Sequence, residues 1–184
     1  MNNVFIGAVA GAAGTAALDI AGYGEMALTG RSPSGTPAEV IRRVAKRANI
    51  EPLGRSDAVA DDATKNRRSA LGAISGYLIG TSIGAVYGAV SPLVARLPML
   101  PKALFVGALA MVASEGPATA LAATDPRRWG VRGWVSDIIP HAIYGLVTVA
   151  VVDAIRSEGS VNGSLTAAAN EFVVAEVIAE EVII

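Results

Sequence analysis

The sequence predicts an all-α membrane protein: a bundle of four transmembrane helices, with a cytoplasmic amphipathic helix in the first loop and a short C-terminal helix. Three observations point there. The 184 residues are 52% hydrophobic and 17% charged, with a mean hydropathy of +0.48, whereas a soluble domain averages about 25% charged. Four stretches, 4–28, 70–95, 103–123 and 133–155, are nearly free of basic residues. Each is close to the ~20 residues that cross a hydrocarbon core of ~30 Å. All fifteen Lys and Arg lie outside these stretches or at their edges. Four buried helices of a soluble bundle would need a polar outer face at helical period, which these segments lack. Residues 1–156 then form the transmembrane domain, and 157–184 an acidic tail.

The first span begins MNNVFIGAVAGAAGTAALD. It lacks the basic n-region of a secretory signal, so it reads as a retained segment, with a cleaved signal as the alternative. Gly7 and Gly11, with Thr15, give it a small-residue edge. The glycines of GAVAGAAG follow no strand, so close helix packing explains them better than dinucleotide binding.

Loop 1, residues 29–68, contains GTPAEVIRRVAKRANI. Thr36 as N-cap, Pro37 at N1 and Glu39 at N3 predict a capping box and a helix over about 37–49. Val40, Ile41, Val44, Ala45 and Ala48 form one face, and Arg42, Arg43, Lys46 and Arg47 lie mainly off it. Such a helix lies on anionic lipid headgroups or stands solvated beside the membrane. EPLGRSDAVADDATKN then reads as a polar linker. Its end begins the second span early, with Asp61 or Asp62 at the helix N-terminus, where a carboxylate suits the dipole.

The second span carries glycine at 72, 76, 80, 84 and 88. In lipid, small residues let helices approach closely. A four-residue period drifts about 40° per step on a 3.6-residue helix, or about 160° over the ladder. Gly72, Gly76, Gly80, Gly84 and Gly88 therefore cannot all face one parallel partner. They meet a steeply crossed helix, two partners at different depths, or a second protomer. Edges for them exist at Gly7 and Gly11 of span 1 and at Ala103 and Gly107 of span 3. Loop 2, SPLVARLPMLP, is short and makes spans 2 and 3 an antiparallel hairpin. Pro117 should kink or weaken the end of span 3.

Span 4 contains SDIIPHAIYGLVT. His141, Tyr144 and Thr148 sit roughly 40°, −20° and 20° around the helix from Asp137, so the four form a polar stripe. Asp19, Glu25 and Glu115 are also intramembrane carboxylates, and such residues raise a functional question by default. Asp19, Glu115, Asp137, His141, Tyr144 and Thr148 are expected to share a polar layer. That layer serves as a proton-responsive element, a path for a polar solute or a ligand site; alternatively it is interhelical glue, with His141 bonded to Asp19 or Glu115. The tail begins with a flexible break, SEGSVNGS. LTAAANEFVVAEVIAEEVII follows as a short acidic helix, or as a strand, with Glu171, Glu176, Glu180 and Glu181 spread around the wheel.

Basic residues set the orientation. Loops 1 and 3 carry twelve Lys and Arg against three on the other side, which places those loops in the cytoplasm and both termini outside. Trp129 and Trp134 flank the start of span 4, where an aromatic belt is expected. The segments TDPRRWGVRGWVSDIIPHAIYGLVT, GAVAGAAGTAALD and LPKALFVGALAM resemble small actinobacterial membrane proteins of unknown function and are loosely similar to the YagU-like inner-membrane family. In that family a Trp, a Ser-acidic pair and a His occur in the order of Trp134, Ser136, Asp137 and His141. The resemblance implies a multi-span inner-membrane protein and supplies no reaction. The basic loop-1 helix and the acidic tail depart from it.

Several function classes recede. There is no Cys and one His, which removes thiolate chemistry and bis-imidazole haem. No P-loop, GxSxG or zincin motif is present. No metal or other cofactor is expected, and no enzymatic activity. A net charge of −1 without aromatics among the basic residues disfavours nucleic acid. The expected role is structural or accessory in the bacterial cytoplasmic membrane. The expected partners are the lipid bilayer, further copies of the chain or a larger membrane complex. The alternative is a small transporter or channel.

Overall fold

The structure is a computed structural model that describes the backbone of residues 2–182 and the side chains of residues 2–158. It is all helical among the described residues: α1 (Asn3–Thr29), α2 (Thr36–Arg47), α3 (Asp62–Val90), α4 (Met99–Ala120), a 3₁₀ turn (Pro126–Arg128) and α5 (Gly130–Val182). Four segments, Asn3–Thr29, Asp62–Val90, Met99–Ala120 and Gly130–Glu158, are long and apolar enough to cross a membrane.

Local chemistry sets the helix ends. The Asn2 side chain accepts from the Val4 amide at 3.0 Å and starts α1. Gly30 ends it in the left-handed region at φ 68°, its amide bonded to the Met26 carbonyl, a conformation that costs glycine little. Asp61 caps α3 by accepting from the Thr64 amide at 2.8 Å, so the early start expected for this helix is present. Hydrogen bonding from the Thr64 hydroxyl, and then from its amide, holds the Asp61 carboxyl below the usual range. Pro117 lies in the last turn of α4, which stops at Ala120.

α1 is the central helix: it packs on α3 and on α5, and α4 packs on α5. All three major pairs are antiparallel. α3 and α4 meet only slightly, so the hairpin expected from the short loop 2 is a connection more than a packing unit. Small residues explain the pairing. A Cβ on Gly84 would lie 2.5 Å from the Gly11 Cα, and one on Gly7 would lie 2.7 Å from the Gly88 Cα. A Cβ on Gly145 would lie 2.7 Å from the Gly107 amide nitrogen and 3.0 Å from the Ala103 carbonyl carbon. Ala103 and Gly107 thus serve α5 and not the glycine ladder.

The ladder divides between two partners, one of the arrangements its drift allows. Gly80, Gly84 and Gly88 face α1, Gly72 faces Pro37 and Ala38 of α2, and Gly76 has open space around it. The core between the helices holds Ile6, Ala10, Tyr87, Ala103, Val106, Ala110, Tyr144, Val149 and Val152. Large apolar residues such as Phe5, Ile20, Leu78, Phe105 and Val112 point outward. No more than 33% of the apolar window of any spanning segment is buried. A water-soluble bundle would hide more, so the outer surface is compatible with an integral membrane protein.

Loop 1 differs from its sequence reading in two respects. Helix α2 begins at Thr36 with no side-chain cap, so the expected capping box does not form. The Glu39 carboxylate instead binds Arg42 and Arg43, because charge-assisted bonds to guanidinium are about twice as strong as neutral ones. The hydrogen bonds from Arg42, against the opposing effect of burial, bring the Glu39 carboxyl down to about 2. The linker is also structured. Arg68, 2% exposed, donates to the Leu53 and Arg55 carbonyls at 2.9 and 2.6 Å and to Asp57 at 2.6 Å.

The tail differs as well. The helix runs unbroken through 157–164 to Val182, where a flexible break followed by a separate helix or strand was expected. Two glycines cost a helix only about 1 kcal/mol each, and no proline interrupts this stretch. The acidic side chains at 171, 176, 180 and 181 lie outside the described residues.

Candidate functional site

The polar stripe on α5 exists, but its members do different work. Tyr144 and Thr148 are buried at the centre of the bundle, 1% and 0% exposed. The Tyr144 hydroxyl donates to the Gly80 carbonyl at 2.6 Å, and Thr148 Oγ1 lies 3.5 Å from the Ala10 carbonyl. Gly14 makes room for both side chains. These bonds join α5 to α3 and α1. They fit here because glycine and alanine bring foreign backbone within reach, and each contributes about 0.5–1.5 kcal/mol.

His141 and Asp137 lie one and two turns nearer the α2 end. His141 Nδ1 is 2.8 Å from the Asp137 backbone carbonyl and 3.5 Å from Asp137 Oδ1. Only a donor Nδ1–H satisfies the short contact, which leaves Nε2 facing Ser114 Oγ of α4 at 3.4 Å. The expected bond from His141 to Asp19 or Glu115 is therefore absent. Its partner across the helix interface is Ser114.

Glu115, Asp137 and, at the opposite end of the bundle, Tyr87 each bury a polar side-chain atom that finds no hydrogen-bond partner among the described residues. In the two acids that atom is a carboxylate oxygen, Glu115 Oε2 and Asp137 Oδ2. Both acids line a cavity of about 420 Å³ at the end of the bundle that carries α2. The remaining wall comes from Arg31, Ser34 and Thr36 after α1, Thr124 and Trp129 after α4, and Arg132, Gly133 and Ser136 on α5. Glu25 fastens the wall: it accepts from Arg31 Nε at 2.6 Å and from Ser136 Oγ at 2.8 Å. Trp129 is fixed by a 2.8 Å bond from Nε1 to Thr124 Oγ1 and packs against Trp134 at a ring separation of 5.1 Å. Arg132 has no ion-pair partner among the described residues.

The expected single layer is thus divided. Asp19 lies beside Tyr77 of α3, away from the cavity, because position 19 falls on the α1 face turned from α5. Arg42 and Arg43 are committed to Glu39, and Arg43 also donates to the Leu121 carbonyl at 3.3 Å. Lys46 and Arg47 remain exposed.

A second polar cluster, at the opposite end, escaped the sequence reading. Buried Lys102 at the start of α4 binds Asp153 of α5 at 2.7 Å, and Arg156 donates to Ser91 at 3.0 Å. The signal was present: two oppositely charged residues stand at matching ends of consecutive antiparallel spans. No three His, Asp or Glu residues among those described are grouped to hold a metal ion. Comparison of the chain with family models, with curated proteins and with solved structures returns no match.

Proposed function

We propose that this protein is a structural or accessory component of the bacterial cytoplasmic membrane, packing with itself or within a larger membrane complex, with loops 1 and 3 in the cytoplasm. The observation that carries this reading is the closed core. Ala10, Tyr144, Thr148, Val149 and Val152 are all 0–1% exposed. The two hydroxyls among them face backbone carbonyls of neighbouring helices. Such a centre gives adhesion between helices and no wet path through them. The role then falls to the outer surface, where α3 leaves open space at Gly76 that admits a close helix from another chain. Digitonin-solubilised protein is expected to run as an oligomer or with a co-purifying partner. A lone monomer with no partner, by light scattering and mass spectrometry, overturns the reading.

A second reading, a small transporter or channel with a proton-responsive polar path, is favoured by one observation: the cavity ends on Glu115 and Asp137, with His141 bonded behind them. It requires proteoliposome flux that falls in His141→Ala and Asp137→Asn. Unchanged flux in both variants removes it.

A further inference from the structure

The cavity at the α2 end has a division of charge that helix packing alone does not require. Its inner wall holds Glu115 and Asp137, and one oxygen of each lies buried behind that wall without a protein donor. Two carboxylates held together with no cation beside them on the inner side are costly unless a counter-charge reaches them from the cavity. Its outer wall holds Arg132, exposed and without a partner among the described residues, and Arg31, already shared with Glu25. Ser34, Thr36, Thr124, Ser136 and Trp129 also line it. A volume of about 420 Å³ falls within the ~300–1,000 Å³ of small-molecule sites.

We propose that this cavity binds a small zwitterion, with an ammonium group against Glu115 and Asp137 and an anionic group against Arg132. A lone cation would leave Arg132 unanswered, and a lone anion would be repelled by the two carboxylates. A zwitterion answers both charges at once. Two sources share this chemistry: a free amine-phosphate or amino acid, and the headgroup of an aminophospholipid. The inference depends on neither reading of the whole protein's function, since a bound zwitterion serves as a structural lipid or as a solute equally well.

Trp129 makes the site self-reporting. The full-length protein is placed in phosphatidylglycerol nanodiscs and titrated with O-phosphoethanolamine while tryptophan emission is followed. A saturable change is expected, with ethanolamine alone and inorganic phosphate alone binding more weakly. Glu115→Gln and Arg132→Gln are each expected to weaken binding about tenfold to a hundredfold, the loss of one charge-assisted contact. The two variants alter opposite walls, and Arg132 is exposed, so its variant tests the site even if Glu115→Gln fails to fold. Nanodiscs of phosphatidylethanolamine separate the sources. Loss of the response there identifies a lipid headgroup as the occupant, and a persistent response identifies a free solute. No saturable response in phosphatidylglycerol together with identical emission in the two lipids overturns the proposal. So does binding that Arg132→Gln leaves unchanged.

Discussion

Glu39 shows how a single residue changes meaning between sequence and structure. Its position three residues after Thr36 suggests a cap, yet its carboxylate joins Arg42 and Arg43 on the same helix. The carboxyl is therefore held at about 2, against 4.5 for a free glutamate. Because the folded value is depressed, the stabilisation is complete above about pH 4.5. It is lost as the pH falls toward 2, when the carboxylate is protonated. Loop 1 is expected to lose helix in this window, seen as a far-UV circular dichroism change in the wild type that is absent from Glu39→Gln. Coincident acid profiles for the two proteins would show that the pair contributes nothing measurable. Arg68 makes a parallel point. It counts toward the positive charge of loop 1 in any sequence tally, but its guanidinium is occupied by two loop carbonyls and Asp57.

At the scale of the helices, the five glycines of α3 are not equivalent, and substitution separates them. A Cβ at Gly84 would press on the Gly7 carbonyl and the Gly11 Cα, both backbone atoms of α1 that cannot move aside individually. Gly84→Ala is expected to destabilise the bundle by about 1–3 kcal/mol, the usual penalty for overpacking. Gly76 has no neighbour within 4 Å, so Gly76→Ala should be neutral or stabilising by up to about 1 kcal/mol, the propensity difference between the two residues. Reversible unfolding in SDS–detergent mixtures measures both. Equal effects at the two positions would mean that α1 and α3 do not cross at Gly84. A larger response to Gly76→Ala in membranes than in detergent would mark that face as a contact between chains. The second crossing, Ala103 and Gly107 on Gly145, follows the same principle. It draws α4 to α5, although loop 2 ties α4 more closely to α3.

For the whole molecule, the proposed orientation rests on the uneven distribution of Lys and Arg. The end with α2 and the 3₁₀ turn carries twelve of the fifteen, and the positive-inside rule counts these residues rather than net charge. Their pairing with Glu25, Glu39 and Asp57 therefore does not reverse the expectation. The chain has no cysteine, so single probes are clean. An impermeant maleimide applied to intact cells is expected to label Leu93→Cys, at a position 86% exposed in loop 2. Ser56→Cys, exposed in loop 1, should react only after the cells are opened. The opposite pattern would invert the topology, and with it the side from which the mixed-charge cavity is reached.

Sequence by itself determined the number of spans, their approximate limits and the side chains that stand on one face of α5. These follow from hydrophobic length and from helical period, both local properties of a chain in lipid. It also determined that the five glycines cannot all face one parallel partner, because a four-residue period cannot keep one heading on a 3.6-residue helix. Only the tertiary structure decided the partners. Gly80, Gly84 and Gly88 went to α1 and Gly72 to α2, Asp19 turned away from the layer it was expected to join, and His141 met Ser114. Glu115 and Asp137 came together with Arg132 around one cavity although they lie on two helices. The reason is physical: spans of similar hydropathy are nearly interchangeable to lipid, so pairing depends on where backbones can touch. That depends on the relative rotation and depth of two helices, which neither sequence records alone.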